Sequence, residues 1–205
     1  MLLCDIGNTS YHFSNGTQTF KYSVRNFLPE SITEQIFYIC VNHTLKQKLQ
    51  NLENWIDLEN YVDREKYYKT MGIDRIVALK TVENGVLIDA GSAITVDIVK
   101  EGVFEGGFIY PGIKAMQECY KNISLALDYS FNFELDFGKM PKNSTDAISY
   151  GYLKPFVDEI QSKNLPIILT GGDALVFTKL FPDAILDQEL LFKGMKKIII
   201  KANLC

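Results

Sequence analysis

A chain of 205 residues that is 47% hydrophobic and 22% charged has the make-up of a folded globular protein, which excludes disorder as its main state. Its formal net charge of −4, with Lys193, Lys196 and Lys197 as the one basic cluster, leaves no electrostatic footprint for nucleic acid. No apolar run approaches the roughly 20 residues that span a bilayer, and Met1-Leu2-Leu3-Cys4 is too short for a secretion signal before Asp5 interrupts it. Cys4, Cys40, Cys119 and Cys205 lie far apart, so reduced thiols in a cytoplasmic protein are expected. His12 and His43 are the only histidines and have no ligand spacing around them, which argues against a zinc site or a histidine triad.

In chain order, Leu2-Leu3-Cys4 is a short apolar run ending in Asp5-Ile6-Gly7-Asn8-Thr9, and Asn15-Gly16 between β-rich segments signals a hairpin. The first two dozen residues therefore read as three antiparallel strands. A buried strand is expected over residues 36–41, a helix over 44–54 and a short strand within 55–62. Tyr67 and Tyr68 precede Gly72-Ile73-Asp74-Arg75, where a helix over 74–82 begins. Read locally, Asp74 is an ordinary first-turn acid, Arg75 its surface partner and the tyrosines half-buried core.

The same figure then recurs. Val86-Leu87-Ile88 ends in Asp89-Ala90-Gly91-Ser92-Ala93, followed by the alternating strand 94–99. A strand over 103–110 leads to Pro111-Gly112 and a helix over 113–127, with Pro111 where a helix start tolerates it. A polar, aromatic connection over 128–142 precedes a helix from Asn143 to about Ser162. Strand 167–170 ends in Thr170-Gly171-Gly172-Asp173 and a helix to Phe181; a last strand over 184–186 and a helix over 189–201 close the chain. The seam between domains is expected near residues 83–85, giving domains 1–83 and 84–205.

A single D-x-G-x-T is most often a hairpin whose Asp caps the turn. Two copies, each directly after an apolar strand, suggest one unit used twice. Glycine lets backbone approach a phosphate chain, and the turn N–H groups with Asn, Thr or Ser side chains can hold its oxygens. The acids cannot hold phosphate, but they can hold a cation or its water. Strand-to-helix turns such as TGGD also suit a nucleotide.

The series DIGNT, GIDR, DAGSA with Thr95 and Asp97, GGFIYPG and TGGDA resembles type III pantothenate kinases, within the acetate and sugar kinase/actin superfamily. The resemblance runs from Met1 to the last helix. It implies an α/β fold of two ribonuclease-H-like domains, with mixed sheets flanked by helices and an ATP cleft between them. It also implies ATP-dependent phosphorylation of pantothenate, the first step toward coenzyme A. By the same resemblance Asp5, Ile6, Gly7, Asn8 and Thr9 form the first phosphate turn, with Asp5 near Mg²⁺ through water. Gly91 and Ser92 contact phosphate, Asp89 holds a monovalent cation (K⁺ or NH₄⁺), and Gly171 and Gly172 form the adenosine turn. Asp74 is the general base, and Gly72, Ile73, Asp74 and Arg75 bind pantothenate. Tyr68, with Tyr67 as the alternative, lines the pocket. Thr145 reaches the substrate across the interface of a homodimer.

Two departures from the family pattern stand out. Ser92 replaces the more usual threonine, and the chain is shortened between Val24 and Tyr67. Three other readings compete: a kinase or phosphatase of another small hydroxylated substrate, a non-catalytic nucleotide-binding regulator related to transcription-accessory factors, and an actin-like filament protein, which the small first domain disfavours. GIDR argues against the first, Asp74 against the second.

Overall fold

The computed structural model describes residues 1–204, so Cys205 lies outside the described residues. The chain divides into two compact units, Met1–Thr81 together with the chain from Glu189 onward, and Val82–Gln188. The first contains β1 (Leu2–Ile6), β2 (Ser10–Ser14), β3 (Thr19–Ser23), β4 (Ile36–Cys40), α1 (His43–Leu49), β5 (Trp55–Asp57), α2 (Ile73–Leu79) and α6 (Leu190–Lys201). The second contains β6 (Gly85–Ala90), β7 (Ala93–Lys100), β8 (Val103–Pro111), α3 (Ile113–Ile123), α4 (Ser144–Gln161), β9 (Ile167–Thr170), α5 (Ala174–Phe177) and β10 (Ile185–Leu186).

Each unit has one five-stranded mixed sheet, ordered β3-β2-β1-β4-β5 in the first and β10-β9-β6-β7-β8 in the second. Numbered within its own unit, each order is 3-2-1-4-5. In both, the first three strands form an antiparallel meander, and the last two run parallel to the first. The expected repetition of one unit is therefore realised strand for strand, as the ribonuclease-H-like pattern.

In the first sheet, alternation along β1 and β4 divides two cores. Leu2, Cys4, Ile6, Ile36, Tyr38 and Cys40 pack with Tyr11, Phe13 and Trp55 on one face. Leu3, Phe37 and Ile39 pack with Ile73 and Val77 of α2 and Phe192 and Met195 of α6 on the other. A strand buried on both faces must be apolar throughout, which is why IFYIC carries no polar residue. In the second unit, Ile148, Tyr152, Leu153, Phe156, Val157 and Ile160 form the buried stripe of α4 against Val86, Ile88, Ile94 and Val96.

Several elements are shorter than their patterns suggest. The helix expected over 44–54 stops at Leu49, because the Asn54 amide donates to the carbonyls of Ile32 and Glu34 and draws the chain into β5. The strand expected within 55–62 ends at Asp57, whose carboxylate accepts from the Glu59 N–H at 2.9 Å and opens a 3₁₀ turn, Leu58–Tyr61. α2 ends at Leu79 rather than 82, and α5 at Phe177 rather than 181. The helix expected over 113–127 ends at Ile123, after which a 3₁₀ turn covers Leu125–Leu127.

The last helix also changes allegiance. An unbroken domain over 84–205 would carry α6 with the second sheet, but α6 packs on α2 in the first unit. Gly194 is the reason the two helices approach so closely: a Cβ there would collide with the carbonyl oxygen of Val77. Gly194→Ala gains about 1 kcal/mol of helix propensity but drives a methyl into a backbone that cannot yield locally. A net loss of about 2 kcal/mol is expected, read as a lowered denaturation midpoint.

Candidate active site

Both Asp turns are built alike. Asp5 is the penultimate residue of β1 and Asp89 that of β6, and each strand reverses into its neighbour over a few residues. The Gly7 N–H donates to Ser10 O at 3.0 Å, and the Gly91 N–H to Ala93 O at 3.1 Å. Asn8, Thr9 and Ser92 are exposed at the tips of these turns. Alternation along β1 puts Asp5 on the same face as Leu3, the face that α2 covers.

In the second unit, parallel pairing sets Asp89 opposite Thr170. The TGGD turn thus emerges beside the Asp turn, and the Asp173 N–H donates to Ala90 O at 2.9 Å. Gly171 has φ +94, and a side chain there would meet the Asp89 carboxylate oxygen and the Ala90 carbonyl. Gly112 closes the group from the other side: a Cβ on it would run into the carbonyls of Gly91 and Ser92. Tyr152 fixes this approach, its hydroxyl donating to Pro111 O at 2.6 Å. The structure therefore brings Asp89, Gly91, Ser92, Gly171 and Gly172 together, as expected. Gly112 and Asp173, which stand in the GGFIYPG and TGGDA motifs but were assigned no role, join them. An isolated glycine directly after a strand-ending proline was the available signal for Gly112.

An open cavity of about 510 Å³ adjoins this group in the second unit, lined by Ile113, Gln117, Phe131, Asn132, Asp173 and Lys179. Thr145 belongs to a different cluster, in the first turn of α4. Asn143 is the cap of that helix, accepting from the Asp146 N–H at 2.9 Å, and the Ser149 hydroxyl donates to Thr145 O at 2.7 Å.

The first unit holds the GIDR residues at the start of α2. A Cβ on Gly72 would collide with the Asp74 carboxylate, so only glycine leaves that acid its place. Asp74 accepts from the Arg75 N–H at 2.8 Å. Burial pushes its carboxyl above the usual range, more than the Arg75 amide and charge pull it down. Arg75 is only 6% exposed, and its guanidinium donates to the Tyr68 hydroxyl and lies 5.6 Å from the Tyr68 ring. The Tyr67 ring instead receives the Lys80 ammonium, 5.1 Å from its centre. Of the two tyrosines, Tyr68 is the one joined to Arg75, and at 44% exposure it is more open than half-buried core.

Other groups fit the chemistry less well. His12 faces the Phe192 ring at 4.8 Å, and burial with Lys21 nearby lowers it to about 4, so it is neutral near pH 7. Burial pushes the Cys4 and Cys40 thiols up, which makes them poor nucleophiles. A carboxylate with a raised pKa beside a nearly buried arginine is the arrangement suited to proton transfer next to an anionic substrate.

Comparisons with known proteins identify the family. The sequence profile of type III pantothenate kinases matches residues 41–163. A relative from Sulfurimonas denitrificans named type III pantothenate kinase is 62% identical over 205 residues and covers 100% of both chains. One of the same name from Campylobacter jejuni is 42% identical over 201 residues, 97% of this chain and 96% of its own. A crystal structure from Campylobacter jejuni that carries the family label of Baf transcriptional activators superposes with a TM-score of 0.91 at 41% identity, over 100% of both chains. A Sinorhizobium meliloti protein named for 2-dehydro-3-deoxygalactonokinase shares the fold at a TM-score of 0.56 and 8% identity, over 96% of this chain and 95% of its own. This chain is a member of the type III pantothenate kinase family.

Proposed function

We propose that this protein transfers the terminal phosphoryl group of ATP to the terminal hydroxyl of pantothenate, giving 4'-phosphopantothenate and ADP, the first step of coenzyme A synthesis. The observation that carries this reading is Asp74: a carboxylate with a raised pKa, locked between Gly72 and Arg75, in a chain of this family. Asp74 orients the substrate hydroxyl and takes its proton as the new O–P bond forms and the bond to the ADP oxygen breaks. Arg75 forks onto the pantothenate carboxylate, with Tyr68 holding its guanidinium in place.

Phosphoryl transfer needs positioning and charge neutralisation more than covalent chemistry, and the glycine turns supply both. The turn of Asp5 to Thr9 in the first unit, and that of Gly91 and Ser92 in the second, are each suited to phosphate oxygens. Gly171 and Gly172 border the adenosine, whose base extends along the cavity beside Asp173. No cluster of three or more His, Cys, Asp or Glu exists among the described residues, so the protein offers no cage of its own for a divalent ion. That donor set fits a Mg²⁺ that keeps its waters and uses substrate phosphates, with Asp5 touching the water shell. Asp89 at the end of β6 would be the carboxylate that holds a monovalent cation such as K⁺ or NH₄⁺, since these ions take hard oxygen ligands. When bound, these ions offset phosphate charge. The cytoplasm, where ATP is supplied, is the compartment this activity implies.

We also propose a homodimer with the pantothenate pocket at its interface, completed by Thr145 of a second copy. α3 contains no buried residue, and Ile109, Ile123 and Leu125 are 63%, 68% and 79% exposed.

Release of ADP with ATP, Mg²⁺ and pantothenate, with and without K⁺, tests the reaction directly. Turnover that depends on pantothenate and rises with K⁺ is expected; none by folded protein would favour a nucleotide-binding regulator. Asp74→Asn is expected to lower kcat about 10²- to 10⁴-fold. A base works ionised, so activity is present above the Asp74 pKa and lost as pH falls through it. With that pKa raised, the acid limb of kcat/KM lies above the ~3.9 of an ordinary aspartate. Arg75→Lys keeps the charge and loses the fork, and should raise KM for pantothenate about tenfold with little change in KM for ATP. Sedimentation is expected to show a dimer, which Ile123→Asp and Leu125→Asp together convert to monomer; an active monomer of the wild type would exclude the shared pocket.

A further inference from the structure

The segment between β5 and α2 carries Tyr67 and Tyr68 and delivers Gly72 to Arg75, yet beyond the 3₁₀ turn at its start it has no regular structure. Local bonds shape it, from the Glu65 N–H to the Asp63 carboxylate at 2.9 Å and from the Tyr67 N–H to Arg64 O and the Met71 N–H to Tyr68 O, each 3.0 Å. None of these joins its two ends. Arg64 does: one guanidinium nitrogen donates to the Glu59 carboxylate and the other to the carbonyl of Met71, the residue before Gly72.

Glu59 is itself held. Its second oxygen takes the ammonium of Lys46 from α1, and Lys46 also reaches Asp57 at 3.1 Å. Burial alone would lower Lys46, but the carboxylates of Glu59 and Asp57 outweigh it and hold the amine above its ordinary value. Two cations and two anions thus form one strut from α1 through the end of β5 to the entrance of α2. Its side chains are 8% to 32% exposed and its four charges form one network, in which each partner holds the next in place. What the strut fixes is the loop bearing Tyr68 and the backbone that enters GIDR.

We propose that Arg64 is a positioning residue for the pantothenate pocket, tying Met71 to Glu59 so that Tyr68 and Arg75 meet the substrate in one fixed arrangement. This inference rests on the function proposed above. Arginine suits this role because its planar fork aims two separate nitrogens, one at Glu59 and the other at the Met71 carbonyl, in a fixed geometry that a single flexible ammonium centre lacks.

The experiment compares wild type, Arg64→Ala, Arg64→Lys and Glu59→Gln in steady-state kinetics, thermal unfolding and hydrogen exchange. Arg64→Ala should raise KM for pantothenate about tenfold and leave KM for ATP within about twofold, with Tm shifted by only a few degrees. Arg64→Lys should fall between Arg64→Ala and wild type, and Glu59→Gln should move the same KM in the same direction. An unchanged KM for pantothenate, or an equal rise in both KM values, would overturn the proposal. Should Arg64→Ala not fold, Arg64→Lys decides on the same readout. If wild type shows no turnover with pantothenate, the functional reading fails by itself. Hydrogen exchange then decides the tether: faster exchange over residues 65–79 with residues 85–111 unchanged supports it, and unchanged exchange over 65–79 sinks it.

Discussion

Everything chemical in the second unit depends on three pieces of backbone sharing a space that leaves no room for a side chain. The end of β6, the turn after β9 and the start of α3 meet where Gly171 faces Asp89 and Ala90, and Gly112 faces Gly91 and Ser92. Parallel pairing of β6 with β9 forces the first contact by setting Asp89 beside Thr170. The Tyr152 hydroxyl, anchored on α4, enforces the second through Pro111. A methyl at either glycine would force these turns apart. Sheet topology supplies the convergence; glycine makes it possible.

The first unit solves a different problem with related means. Its Asp turn repeats the hairpin of the second, but its distinctive equipment is α2, a helix of seven residues that carries Asp74 and Arg75. So short a helix has little stability of its own, and it is held by burial of Ile73, Ile76 and Val77 and by α6 lying across it. That support allows a carboxylate to sit half-buried with a raised pKa at the helix start, where an isolated peptide would leave it solvated. The two units thus differ in what they build: one packs three backbone segments around the Asp89 turn, the other shelters the Asp74 carboxylate beside an arginine.

How much of this was legible follows from which interactions are local. The Asp turns, the strands around them and the repetition could be read, because period-two alternation and glycine position are written within a few residues. The TGGD turn was legible for the same reason. Helix ends were not, since Asn54 stops α1 by bonding to Ile32 and Glu34, about twenty residues away, and no local pattern marks that. Asn143 capping α4 was within reach of the sequence, although Thr145 drew the attention. The choice between Tyr67 and Tyr68 needed the orientation of two side chains toward Arg75 and Lys80, which spacing leaves open. The placement of α6 was also hidden: an amphipathic helix announces that it has a buried face, not which sheet receives it. Its one clue was Gly194 inside a helical run.

That placement bears on how the chain reaches its native state. The first unit is interrupted by the whole of the second, so the strands made earliest on the ribosome wait for a helix made among the last. Leu3, Phe37 and Ile39 remain without Phe192 and Met195 until the whole of Val82–Gln188 has been translated and has emerged. The second unit, continuous in sequence, can complete its sheet first and so reverses the usual N-to-C order of domain folding during synthesis. Until α6 arrives, α2 alone covers that apolar face of the first sheet, and the part that Phe192 and Met195 will bury stays open to water.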